Sequence, residues 1–347
     1  MTELAALSRA PLWVMGGEQR SLEALTPEWK SFRQAVVVKV DGARTTRVLE
    51  YVSPPQHCPD DTPSILFKAA TIAGADAYLC TQTEVLVCDF PSFSIRRVIS
   101  HPCFNDVHHV AVAPDGRLFV AVTGLDAVAE LSPNGDLLRL TSVIDDSPWT
   151  RFSPELDYRK RATTKPHQSH PNYVFFLDGE PWVTRFEQRD AVPLYGDRGS
   201  RRAFRVTEER IHDGNLVGGQ LYFTAVDGRI IRFEVDSGRR TEFDLNKMRG
   251  NDGGRPLGWC RGLLPLGQFA WVGFPRLRQT ALRRNLRWVR RGFKANDRAQ
   301  AQPTRIACYD LDRAALIAEV GLEDAGLAAV FSIHAAADRP RETGDGA

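Results

Sequence analysis

Eight histidines punctuate this 347-residue chain, and six of them stand at matching places in a repeat: His108, His109, His167, His170, His212 and His334. Only His57 and His101 lie elsewhere. Neutral imidazole is the commonest metal ligand, and its charge changes close to neutral pH. Several imidazoles brought to one place are costly to bury unless they are hydrogen-bonded or hold a cation. The pattern points to a divalent metal, whether zinc, iron, manganese or calcium, with His109, His170 and His212 as leading ligands and His108 and His334 as further candidates. Strand alternation turns only one of His108 and His109 inward. Asp106, Asn172, His167 and Lys165 would orient those ligands as a supporting layer. Arg261 is placed to clamp a carboxylate or phosphate, Tyr173 to donate a proton, and Asp213 to orient a ligand or join the chemistry.

These residues converge only if the chain repeats a structural unit. Residues 104–138 contain strand-like runs broken by Asp115-Gly116 and Asn134-Gly135. Those dipeptides tolerate the positive φ of tight hairpin turns, so the stretch reads as a four-stranded meander, one blade of a β-propeller. Comparable units begin near residues 66, 171, 212 and 259, and a spare strand starts near 328. Residues 34–52 give two strands of a blade that lacks its inner strand. Pairing them with the C-terminal strand closes the ring and removes open sheet edges. The expectation is all-β, a six-bladed propeller closed by a split blade, over residues 34–337. Residues 1–33 read as a short apolar and helical lead-in, and 338–347 as a tail. In such a ring the loops leading into the inner strands meet at one mouth of the central channel, which is where the histidines fall.

The unit at 108–137, with its apolar strand, Pro-Asp-Gly turn, second and third strands and Asn-Gly turn, resembles the blades of six-bladed NHL/SMP-30-like propellers. The resemblance spans most of residues 64–335. An SMP-30-type lactonase would imply a divalent metal held by a Glu, two Asn and an Asp, roles for which Asn172, Asn215 and Asp213 are the candidates here. The peptidyl-hydroxyglycine lyase propeller is similar in placing three channel histidines on zinc beside an Arg and a Tyr. That likeness implies such a role for His109, His170, His212, Arg261 and Tyr173. The stretches NDVHHV, TGLDAV, KPHQSHPN and RGL look like those of a bacterial propeller family.

Residues 274–305 interrupt the sixth repeat. Within them Leu282, Leu286, Val289 and Phe293 recur at helical spacing, opposite Arg283, Arg284, Arg287, Arg290 and Arg291. The expectation is a helical insertion over 277–303 whose basic helix at 281–293 could meet an acidic partner.

Composition narrows the remaining classes. Net charge is only +2, so no global field attracts nucleic acid, and none is expected as partner. No stretch approaches the ~18 apolar residues of a membrane span. Glu3 and the lack of a long apolar core argue against a signal peptide, so the cytoplasm is the expected location. Six cysteines form no CxxC pair and are expected as buried free thiols. There is no Ser/His/Asp motif, P-loop or Rossmann fingerprint. The leading expectation is a metal-dependent hydrolase or lyase acting on a small polar or anionic substrate, with oxygen chemistry as a variant. The alternative is a non-catalytic scaffold for a protein or glycan partner.

Overall fold

A computed structural model describes residues 11–20, 26–144, 146–196, 203–249, 257, 259–276 and 303–335. Six four-stranded antiparallel sheets, strands β1–β24 in chain order, form a six-bladed β-propeller. The inner strands are β4 (Ala70–Ala73), β8 (Val107–Val112), β12 (Pro171–Leu177), β16 (Ile211–Val217), β20 (Arg261–Leu266) and β24 (Ala329–Ala335). They begin blades 2 to 6 and blade 1 respectively.

Each blade is buried on both faces because it packs against a neighbour on either side. The second strand of blade 3, β9 (Leu118–Val122), is therefore apolar and buried at every position instead of alternating. Six hydrophobic clusters occupy the six gaps between successive blades. The one that seals the ring joins Leu264, Trp271 and Ile306 of blade 6 to Val14, Val36, Val330 and Ile333 of blade 1.

Blade 1 is the split blade. Its order is β24, β1 (Leu12–Gln19), β2 (Phe32–Asp41), β3 (Arg44–Tyr51). The C-terminal strand supplies the inner position, as the repeat pattern requires. The N-terminal side supplies three strands where the sequence suggests two. Residues 12–19 are not part of a lead-in: they pair with β2 on one side and with β24 on the other, Trp13 opposite His334 and Val14 opposite Ile333. Gly16 lets them do so, because a Cβ there would lie 1.8 Å from the Ala329 carbonyl oxygen.

The insertion at 277–302, its basic helix at 281–293 and the tail at 338–347 lie outside the described residues. Among the described residues no helix is long and apolar enough to cross a membrane. All six cysteines are buried free thiols.

Candidate functional site at the channel mouth

The inner strands share a local device. In five of the six blades, pairing with the second strand skips near the start. The extra residues are His108 in β8, Asn172 in β12, Asp213 and Gly214 in β16, Gly262 in β20 and Phe331 in β24. A bulge re-aims a side chain and bends the strand. In four successive blades it comes with a left-handed residue: Asp106 (φ 50°), His170 (φ 58°), Asp213 (φ 64°) and Gly262 (φ 70°). Three of these are not glycine, a conformation retained where surrounding structure enforces it.

Asp126 does that enforcing for the histidine loop. Its buried carboxylate accepts the backbone N–H groups of Gln168, Ser169 and His170 at 2.8–2.9 Å, and Arg151 Nη1 donates to it at 2.7 Å. Asn105 Nδ2 donates to the carbonyls of Tyr158 and Arg161, each at 2.8 Å, tying the long loop of residues 145–169 to the mouth.

The structure brings Lys68, Asp106, His108, His167, His170, Asn172, His212 and Arg261 together. Lys68 Nζ donates to Asp106 Oδ1 at 2.5 Å and lies 3.3 Å from His108 Nε2. His108 Nδ1 donates to the Asp106 carbonyl at 2.7 Å, which leaves Nε2 as the bare nitrogen facing Lys68. The His108 and His170 rings meet edge to face, with centroids 4.8 Å apart. His167 Nδ1 and His170 Nδ1 share a hydrogen bond of 3.1 Å. Phe186 sits 4.9 Å, centroid to centroid, from both His170 and His212. Asn172 Nδ2 lies 3.0 Å from His212 Nδ1. The Arg261 guanidinium stacks over Phe331 at 4.7 Å and Trp259 at 5.4 Å. At the rim, Lys165 Nζ pairs with Glu28 Oε2 at 3.0 Å.

Burial sets the charge states. It holds His108, His170 and His212 well below the usual imidazole range, with Lys68 adding to the effect, so all three are neutral at pH 7. It also lowers Lys68, against the pull of Asp106. Burial pushes Asp106 upward, but the Lys68 ammonium outweighs it and keeps the carboxylate ionised. Arg261 is 8% exposed and is lowered by burial, with only longer-range attraction from Glu28, Asp106 and Asp213 to oppose it. An arginine this buried normally has a carboxylate in contact.

The predicted set divides into two layers. His109 does not join the mouth cluster; His108 takes that place because the bulge falls on it. His109 Nε2 donates to Thr71 Oγ1 at 3.2 Å, its Nδ1 accepts from Val174 N at 3.1 Å, and its ring stacks on Tyr173 at 3.7 Å. His334 belongs to the same layer, bonded to Ser332 Oγ at 2.7 Å. Tyr173 donates to Asn215 Oδ1 at 3.1 Å. Asp213 lies between blades 5 and 6, accepting from Thr224 Oγ1 at 2.6 Å, and burial pushes its carboxyl up to about 6. Sequence reasoning missed Phe186, Phe331, Asp126 and Glu28. Asp126 lies in TGLDAV, one of the stretches that carry the family resemblance, whereas Phe186 and Phe331 fall in strand-like runs and Glu28 in the lead-in, with no sign of a role at the mouth.

Among the described residues no three His, Cys, Asp or Glu side chains converge so as to hold a metal ion. The bare nitrogen of His108 faces the Lys68 ammonium, and the Arg261 guanidinium lies near His212, so a divalent cation there would have two positive groups nearby. Beside the cluster, and sharing Asp106 with it, is a cleft of about 30 Å³ lined by Glu28, Gln82, Asn105, Arg161 and Lys165 among others.

No protein-family profile matches this chain, and no curated protein does. Solved structures do. A protein of unknown function from Bacteroides caccae is 11% identical over 93% of this chain and 98% of its own, with a TM-score of 0.58. A chain of a nidogen/laminin complex is 9% identical over 94% and 98%, with a TM-score of 0.54. A catalytically inactive virginiamycin B lyase from Staphylococcus aureus, crystallised with quinupristin, is 12% identical over 89% and 85%, at 0.48. The first two likenesses show the fold alone.

Proposed function

We propose that the channel mouth is an enzyme site for a small anionic molecule. Arg261 holds the negative group, and the neutral imidazoles of His170 and His212 carry protons in a hydrolase- or lyase-type reaction. The observation that supports this reading is the buried guanidinium of Arg261, which among the described residues contacts two aromatic rings and no carboxylate. Lys68 is matched by Asp106 and Lys165 by Glu28, so among the described residues Arg261 is the cation in the cluster left without a contacting counter-charge. Kinship with NHL/SMP-30-like propellers belongs to this proposal.

Calorimetric titration with acetate, propionate and inorganic phosphate tests it. Binding by the wild-type protein that weakens at least about tenfold in Arg261→Gln supports the site. No binding of any anion overturns it and leaves the propeller as a scaffold for a protein or glycan partner. The buried, unpartnered Nε2 of His170 favours a second reading, a bound metal. Near-stoichiometric zinc, iron, manganese or calcium in purified protein, lost in His170→Ala/His212→Ala, would establish that reading instead.

A further inference from the structure

We infer that the anion taken by this mouth is a monocarboxylate with a neutral hydrogen-bond donor on the adjacent carbon, as in a 2-hydroxy acid. The inference rests on the anion-site reading above and comes from counting hydrogen-bonding capacity at the tops of β12, β16 and β20, three successive inner strands. Asn172, His212 and Arg261 stand there, 4%, 5% and 8% exposed.

Asn172 Nδ2 has two hydrogens and spends both, one on the Ile211 carbonyl at 2.7 Å and one on His212 Nδ1 at 3.0 Å. The Ile211 carbonyl can only accept, so the amide cannot be turned round. Asn172 Oδ1 is then left buried without a donor. His212 Nδ1 must be the bare nitrogen, because it accepts from Asn172. The neutral ring therefore carries its hydrogen on Nε2, which is buried and has no acceptor. Arg261 Nε–H is buried and unpartnered as well. Two donors and one acceptor thus wait around one uncompensated positive charge.

Each alternative ligand leaves something unmatched. An apolar molecule leaves all three groups orphaned. A simple carboxylate takes up the two donors, with the side of the guanidinium presenting paired N–H groups, but leaves Asn172 Oδ1 bare. A phosphate dianion brings one negative charge too many. An ammonium beside the carboxylate would face Arg261 and Lys68. A hydroxyl beside the carboxylate meets every requirement: the carboxylate accepts from Arg261 and His212, and the hydroxyl donates to Asn172 Oδ1.

Calorimetric titration of wild-type protein with propionate, lactate, 3-hydroxypropionate, alanine and inorganic phosphate at one ionic strength provides the test. Lactate should bind at least about tenfold more tightly than propionate, because the analogue lacking the hydroxyl leaves a buried acceptor unpaired. It should also exceed 3-hydroxypropionate, alanine and phosphate. In Asn172→Leu the ratio of lactate to propionate affinity should fall to about one, whatever happens to the affinity for either acid, and an unchanged ratio overturns the inference. If lactate and propionate bind equally to wild-type protein, the inference is overturned and the anion site stands. If phosphate binds best, the inference is likewise overturned. If none of the five binds, the anion site falls with it.

Discussion

At the scale of single residues, burial moves two kinds of group in opposite directions, and stability should show both. The Asp213 carboxyl is raised from 3.8 to about 6 by burial. Its contribution to folding is complete below pH 3.8 and is lost as pH rises through about 6, above which an ionised carboxylate is held inside the protein. Asp213→Asn should therefore raise stability at pH 8, by about 2–3 kcal/mol for a shift of this size, and flatten the profile between pH 4 and 6. Thermal unfolding across that range checks it, and a lower melting temperature for the variant at pH 8 would sink the burial account. The imidazoles behave in reverse. His108, His109, His170 and His212 are all lowered by burial, so their contribution is present above pH 6.5 and drains away as pH falls below it. Each should add about 1.4 kcal/mol per pH unit to the loss of stability below 6.5, measurable by urea unfolding at pH 7.5, 6.5 and 5.5. A flat profile there would mean the rings are protonated in the folded protein. The convergence of histidines was legible from their recurrence before inner strands. Whether His108 or His109 faces the mouth was not, because one extra residue in β8 reverses the answer and sequence alternation carries no mark of it.

At the scale of elements, the bulges and the clamp on the histidine loop determine what the mouth presents. Asp126 receives three backbone N–H groups and one guanidinium, so Asp126→Ala leaves buried donors without an acceptor. It should cost about 3 kcal/mol and weaken anion binding, read by urea unfolding and by calorimetry on the surviving folded protein. Wild-type stability in that variant would show that the loop holds its shape without the clamp. A glycine makes the opposite point. Gly16 lies against the Ala329 carbonyl, and a Cβ would fall inside the van der Waals radius of backbone that cannot rotate away. Gly16→Ala should lose at least about 2 kcal/mol, while Gly42→Ala, where a Cβ meets nothing, should lose less despite its φ of +59°. Equal losses at the two sites would remove steric closeness as the reason. The pair Gly16-Gly17 hid β1 from sequence reading. Gly16-Gly17 in an apolar run looks like punctuation, and only the packed structure shows that the strand needs glycine because two neighbours press on it. The other blades were legible because glycine turns mark their first hairpins, Gly74, Gly116, Gly179, Gly218-Gly219 and Gly267 in order, between apolar-rich strands.

At the scale of the whole molecule, the ring is held shut by one strand contributed from far along the sequence. Blade 1 takes β24 as its inner member, and the cluster between blades 6 and 1 is built on Val330 and Ile333. A chain ending at residue 328 should lose its single cooperative unfolding transition and expose apolar surface, seen as a broadened melt and dye binding. A sharp melt at the wild-type temperature would show that the ring does not depend on this closure. The ring number and its split blade were readable from sequence, since a half-blade at one end and an orphan strand at the other admit few solutions. Arg261 leans on Phe331, which belongs to that closing strand. A ribosome delivers Arg261 some seventy residues before its aromatic support. The nascent protein is therefore unable to display a finished binding mouth until residue 335 has left the exit tunnel. The catalytic competence proposed for this mouth thus arrives in a single late event, coincident with completion of the circle.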